Sequence, residues 1–354
     1  MKAPRSGWSS SFRGAWKRPD VLAVYTQVSP DALARLLARY DVGAPRACKG
    51  IAEGVENSNY LVETTSAQFI LTLYENRVEE SDLPYFIDLV GHLAARGLPV
   101  PAFIGDQEGR VVQEVAGRPA CLIAFLNGIS PERPNADQAA SVGTALAQMH
   151  AAWADFDGQR PNSLGPEGWH ALAARCDRDG LRAIAPDLGP RIEAELKLVK
   201  EQWPVHLETA PIHADLFPDN VLMLDGAVTG IIDFYFACAD IRAYDLAVTH
   251  AAWCFKPDGT GFDEDVSQAL VCAYRAGFGL TEAEEQALPL LARGACLRFL
   301  LTRAYDWIAT PPDALVTRKD PLAFLRRLDF YRAVMDGERG NPFAHRSNSG
   351  ERPA

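Results

Sequence analysis

No stretch of this 354-residue sequence approaches the run of about 18 apolar residues that a membrane-spanning helix needs. Basic residues are in deficit, 35 Lys and Arg against 46 Asp and Glu, giving a formal charge of −11. That balance argues against nucleic acid or an anionic membrane surface as the main partner. It leaves ATP open, because a local cation and Mg²⁺ outweigh a distant negative surface. Cysteine is scarce: seven, scattered at 48, 121, 176, 238, 254, 272 and 296. An odd count without a C-x-x-C pair writes no disulfide framework, so a reducing cytoplasm is the expected location. The first twenty residues are basic and Ser-rich but lack the apolar centre of a signal peptide. No internal repeat or low-complexity segment interrupts the chain.

What is present is an ordinary globular balance, 48% hydrophobic and 23% charged, long enough for one large or two medium domains. One stretch organises the rest: His213-Ala-Asp215-Leu-Phe-Pro-Asp219-Asn220, then two short apolar strands around Asp225-Gly226, ending at Asp233-Phe234. Asp-Gly between apolar runs is a hairpin signal. Such a hairpin fixes Asn220 and Asp233 at the same end of two paired strands, with Asp215 in the loop just before. The spacing matches the kinase pattern H-x-D-x-x-x-x-N followed by Asp-Phe. Phosphoryl transfer to an alcohol needs this set: one carboxylate to orient the hydroxyl and take its proton, and an amide oxygen with a second carboxylate to hold Mg²⁺. The competing reading is that His, Asp and Asn only cap turns. A metal-hydrolase reading of His213, Asp215, Asp219 and Asp233 lacks the second nearby His that zinc sites usually supply.

Upstream, Ser29-Pro30 opens a helix to about Tyr40 with Leu33, Leu36, Leu37 and Tyr40 on one face. A Gly/Asn/Ser turn containing Gly54, Asn57, Ser58 and Asn59 leads into a strand to Thr64, and a second strand runs from Gln68 to Tyr74. Glycines and free N–H groups suit a phosphate there, though most such clusters are plain turns. A helix over 81–96 follows, then strands at 110–115 and 119–126. In a two-lobed kinase Phe125-Leu126 is the hinge that meets adenine; a sheet strand followed by a turn is the alternative. Beyond it the pattern is mostly helical: about 137–151, 190–203, 263–277, 281–309 and 320–336. His150 is expected to be packed or capping, and Asp245 to cap the helix it opens.

Taken together, Gly50-Ile-Ala-Glu-Gly-Val-Glu-Asn-Ser-Asn59, Phe69-Ile-Leu-Thr-Leu-Tyr-Glu75, the His213–Asn220 string, Ile232-Asp-Phe-Tyr-Phe-Ala-Cys238 and Leu297-Arg-Phe-Leu-Leu-Thr-Arg303 with Asp306-Trp307 carry a family likeness. Over about residues 24 to 336 the chain resembles the aminoglycoside-phosphotransferase-like kinases, and among them the bacterial homoserine kinases. The resemblance implies an α+β, two-lobed protein-kinase-like fold, with a small antiparallel-sheet N-lobe and a larger, mainly helical C-lobe. It divides the chain into a disordered or mis-started extension (1–23), a nucleotide-binding N-lobe (24–126), a catalytic and acceptor-binding C-lobe (127–336) and a loose tail (337–354). It further implies ATP-dependent phosphorylation of the L-homoserine hydroxyl, on the way to threonine. Asp215 is then the catalytic base, Asn220 and Asp233 the Mg²⁺ ligands, and His213, grouped with Asp215 at the catalytic centre, supports the loop together with Asp245. Gly54, Asn57, Ser58 and Asn59 cover the phosphates, and Phe125 and Leu126 meet adenine.

One departure from the family pattern stands out. Thr72 occupies the place of the small-lobe Lys that grips the α- and β-phosphates, so Lys49, Arg77, Mg²⁺ or backbone amides must take over. A pseudokinase that binds nucleotide without turnover is the rival this opens; choline- and aminoglycoside-type acceptors are others. A free amino acid calls for an Arg and an acid in the acceptor pocket. Arg298, Arg303 and Asp306 on one helix, with Tyr235 as a wall, are the candidates. Oligomeric state is not legible in the sequence.

Overall fold

The computed structural model describes residues 26–51, 57–75, 78–310 and 318–344. Gly54, Arg77, residues 1–25 and residues 345–354 of the expected tail lie outside them.

The small lobe is a sheet with two different faces. Its strands are β1 (Pro45–Gly50), β2 (Asn57–Thr64), β3 (Gln68–Tyr74), β4 (Phe103–Ile104), β5 (Val112–Val115) and β6 (Arg118–Ala124). They run antiparallel in the order β1-β2-β3-β6-β4, with β5 also on β6. Side chains alternate along a strand, so β3 sends Phe69, Leu71 and Leu73 to one face and Ile70, Thr72 and Tyr74 to the other. The first set packs with Tyr60, Val62 and Leu122 under helix α1 (Pro30–Leu37), which contributes Leu33, Leu36 and Leu37. Ser29 caps α1 by accepting the Ala32 N–H. The second face meets α2 (Leu83–Ala94) and looks into the interlobe cleft. β1 and β4 are strands the sequence did not signal: β1 is polar and exposed throughout, and β4 is two residues long.

The large lobe is mainly helical, with a few short strands. Helices α3 (Ala136–Ala152), α4 (Pro166–Arg175), α5 (Arg178–Ile184) and α6 (Leu188–Gln202) precede β7 (Thr209–Ile212), β8 (Val221–Leu224), β9 (Ala227–Ile231) and β10 (Cys238–Ile241). Then come α7 (Arg242–Trp253), α8 (Glu264–Gly277), α9 (Glu282–Ala309) and α10 (Leu322–Met335). β8 and β9 form the expected hairpin, whose turn residues Asp225 and Gly226 both have positive φ, 50° and 80°. That is the primed turn which matches strand twist. β7 pairs with β10, bringing the loop before the hairpin beside the segment after it. α7 is buried on all sides, and α9 packs on α4, α7 and α10. Among the described residues no helix is long and apolar enough to cross a membrane.

The candidate active site

The loop from His213 to Asn220 leaves β7 and enters β8, so both its ends are held by strand pairing. Its second residue, Ala214, has φ 63°, a left-handed conformation that a residue with a Cβ adopts only when its surroundings impose it. Two buried charges impose it here. Asp245 on α7 accepts the N–H groups of His213 (2.7 Å) and Ala214 (2.8 Å). Arg298 on α9 donates Nη1 to the Ala214 carbonyl. Asp245 is therefore a loop anchor in the first turn of α7, not the cap of that helix. Burial by itself would raise its carboxyl; hydrogen bonding from His150 Nε2 at 3.2 Å, with the two N–H groups, holds it below the usual carboxylate range. His150 is packed at the end of α3 against Tyr274, as expected, and reaches Asp245 across 95 positions of sequence.

His213 is fully buried, and burial lowers its imidazole pKa. Its Nδ1 accepts the Asp215 N–H at 3.2 Å, so Nε2 carries the hydrogen and donates to the Ile232 carbonyl at 3.0 Å. Both ring nitrogens are thus spent on backbone. His213 ties the loop to the end of the hairpin, the loop support expected of it. Trp253 adds a further tie, donating Nε1–H to the Leu216 carbonyl at 2.9 Å. No local signal marks Trp253, because its partner lies 37 residues earlier.

Asp215 is partly exposed at the bend. Asn220 donates Nδ2 to the Asp215 carbonyl (2.7 Å) and to Asp215 Oδ2 (3.1 Å), and Arg298 Nη2 stands 3.9 Å from Oδ1. With its nitrogen committed, Asn220 keeps its amide oxygen for another partner. The Ile232 N–H donates to the Asn220 carbonyl at 3.0 Å, so Asn220 and Asp233 sit at the same end of the hairpin. Asp233 has φ 64° and opens a short turn over Phe234–Phe236. One amide oxygen and one carboxylate, both hard donors, suit an ion that keeps waters and phosphate oxygens in its shell, as Mg²⁺ does. Among the described residues no three His, Cys, Asp or Glu gather into a transition-metal site.

On the small-lobe side, strand register sorts the expected phosphate contacts. Asn59 pairs with Thr72, and the Thr72 hydroxyl donates to Asn59 Oδ1 at 2.8 Å. Asn57 lies two positions back on the same face, and its buried Oδ1 has no hydrogen-bond partner. Ser58 is a correction. It points to the α1 face, where its hydroxyl donates to Glu75 (2.6 Å) and accepts the Thr26 N–H (3.1 Å), because strand alternation turns every second side chain away. Lys49 pairs with Leu61 and is exposed on β1. Phe125 is exposed at the lobe junction. Leu126 packs on β9, its Cδ1 only 3.0 Å from where a Cβ on Gly230 would stand.

Two acceptor candidates are already engaged. Tyr235 packs into the small lobe: its hydroxyl is 3.1 Å from that of Tyr74, and its ring meets Tyr74 and Phe86 edge-on. Burial raises the Tyr235 pKa, so the phenol stays neutral. It couples the segment after Asp233 to the small lobe. Arg298 is 2% exposed, wedged between Phe236 and Phe299 and bonded to the loop. Arg303 is half-buried one turn beyond Phe299, and Asp306 follows on the same side of α9.

A small antiparallel-sheet lobe on a helical lobe, with an Asp-bearing loop beside an Asn/Asp hairpin, is the arrangement of a phosphotransferase fold. A family model for phosphotransferase enzymes matches residues 47–285. A homoserine kinase of Gluconacetobacter diazotrophicus is 50% identical over 315 residues, 88% of this chain and 98% of that protein. One of Xanthobacter autotrophicus is 51% identical over 313 residues, with 88% and 97% covered. Among solved structures, spectinomycin phosphotransferase in complex with ADP and spectinomycin superposes with a TM-score of 0.66 at 14% identity, covering 88% of this chain and 99% of that one. The chain belongs to the phosphotransferase enzyme family and, within it, to the homoserine kinases.

Proposed function

We propose that this kinase transfers the γ-phosphoryl group of ATP to the side-chain hydroxyl of L-homoserine, releasing ADP and O-phospho-L-homoserine, a step towards threonine. The observation that carries the reading is the loop clamped at Ala214, which presents Asp215 beside the Asn220–Asp233 end of the hairpin. Asp215 orients the acceptor hydroxyl and takes its proton as the oxygen–phosphorus bond forms and the bond to the ADP oxygen breaks. An Asp with a reference pKa of about 3.9 is a weak base. In a loose, metaphosphate-like transition state the hydroxyl becomes acidic late, so placement matters more than basicity. Asn220 fixes the rotation of the Asp215 carboxylate. Asn220 and Asp233 would hold Mg²⁺, which when bound neutralises charge on the nucleotide phosphates. Asn57, Asn59 and Thr72 offer neutral polar groups to the phosphates in place of the usual Lys, with Leu126 against the base.

The direct test is an ADP-release assay run side by side with L-homoserine, choline and an aminoglycoside as acceptors. Turnover is expected with L-homoserine, with at most trace release from the others. Preference for either of the others, or nucleotide binding without turnover on any acceptor, would refute the assignment.

A further inference from the structure

Two arginines of α9, Arg298 and Arg303, are in different states. Arg298 is enclosed and committed to Ala214 and Asp215. Arg303 lies five residues further on, about 7.5 Å along the helix axis. Its guanidinium carbon lies 4.5 Å from the Phe324 ring centroid, and the group donates to the Asp320 carbonyl at 3.2 Å. Around it the acids are already engaged: Asp320 pairs with Arg326, and Asp219 with Lys319. No described carboxylate forms an ion pair with Arg303 itself. Burial pulls its pKa down to about 10, with the charge of Arg327 adding to that and Asp320, Asp215 and Asp219 opposing it. Arg327 lies 4.4 Å from the same Phe324 ring, so two cations flank one aromatic. A guanidinium carries five N–H donors in a planar fork, and most of those on Arg303 remain for a ligand. Half-buried, held over Phe324 and, among the described residues, without an ion-paired carboxylate, it suits a carboxylate and sits one ring away from the 213–220 loop, because Phe324 meets Phe217 of that loop at 6.0 Å. The hydroxyl and carboxylate of a four-carbon amino acid stand roughly 5 Å apart.

We propose that Arg303 takes the α-carboxylate of the acceptor and makes the enzyme selective for an α-amino acid over a simple amino alcohol. This rests on the homoserine reading above, and it separates the two arginines: Arg298 is a positioning residue, Arg303 the specificity-determining one.

The test compares kcat/KM for L-homoserine with that for the aminopropanol that lacks only the carboxylate, in wild type, Arg303→Met and Arg303→Lys. Wild type is expected to prefer L-homoserine by about 100-fold or more, since a site built around a charged group rejects an analogue without it. In Arg303→Met the preference collapses to within about fivefold, chiefly through KM for L-homoserine. Arg303→Lys, which keeps charge and stem but not the fork, retains part of the preference and supplies the reading if the Met variant does not fold. If wild type prefers L-homoserine and the variants keep that preference, whether or not overall rate falls, Arg303 is structural and the inference is wrong. If wild type phosphorylates neither alcohol, the homoserine reading fails and this inference falls with it.

Discussion

The two walls of the cleft are built by opposite means. The small-lobe wall is neutral and local: Asn57, Asn59 and Thr72 share a face because β2 and β3 are consecutive antiparallel strands, and one hydroxyl–amide bond joins them. The large-lobe wall is charged and assembled from afar. Asp245, Arg298 and His150 come from three helices to hold a two-residue stretch of backbone in a conformation it would not choose alone. On the proposed reading the first wall cradles phosphates and tolerates substitution, because backbone N–H groups and a metal would share the charge. A wall that must place one carboxylate cannot, since small misplacement of a reacting group is costly.

The contrast is sharpest at Asp215 itself. Asp215→Asn is expected to lower kcat by roughly 10²–10⁴, the range for losing general-base help, with ATP affinity little changed. Near-wild-type turnover would remove the residue from that role. Next in size is the anchor behind it. Asp245→Asn presents an amide nitrogen where two backbone N–H groups and His150 all seek an acceptor. A loss of about 1–3 kcal/mol in denaturant stability is expected, together with lower kcat. A variant as stable as wild type would show that the loop holds its shape without the anchor.

The large lobe also carries a pH liability in a buried histidine. His250 is buried between the Tyr331 hydroxyl (2.6 Å) and the Ser267 hydroxyl (2.7 Å), and burial lowers its pKa from 6.5 to about 3. Between those values the unfolded chain binds a proton that the folded chain refuses. Stability contributed here is therefore present above pH 6.5 and is lost as pH falls towards 3, by about 1.4 kcal/mol per unit. Chemical denaturation across that range should show the slope, and His250→Gln should flatten it. The smallest effect belongs to the small lobe. Thr72→Val removes one donor to Asn59 and should cost about 1 kcal/mol, with kcat within a few-fold of wild type. A collapse of kcat comparable to that of Asp215→Asn would erase the distinction between the walls.

How far the chain could be read in advance follows the same division. The hairpin was legible because its turn and strands are contiguous: Asp225-Gly226 dictates the pairing, and the pairing puts Asn220 beside Asp233. Helix α1 with its Ser29 cap and the apolar spacing of α9 were legible for the same reason. Ser58 was misplaced, and the packing of Tyr235 went unread, because sequence proximity to a functional residue says nothing about which face a side chain takes. One residue of register sends Ser58 to Glu75, and the turn after Asp233 sends Tyr235 up to Tyr74. β1 escaped notice because an exposed edge strand needs no apolar pattern.

The sequence by itself determined the chemistry on offer: an Asp, an Asn and a second Asp spaced around a two-residue turn, with no Lys at Thr72. Local spacing suffices there because hydrogen bonds across a hairpin join neighbours in the chain. Only the tertiary structure decided what each distant charge is for. Whether Arg298 or Arg303 can greet a substrate depends on burial and on partners as far as 84 residues away, and a buried cation is spoken for by whatever the fold brings against it.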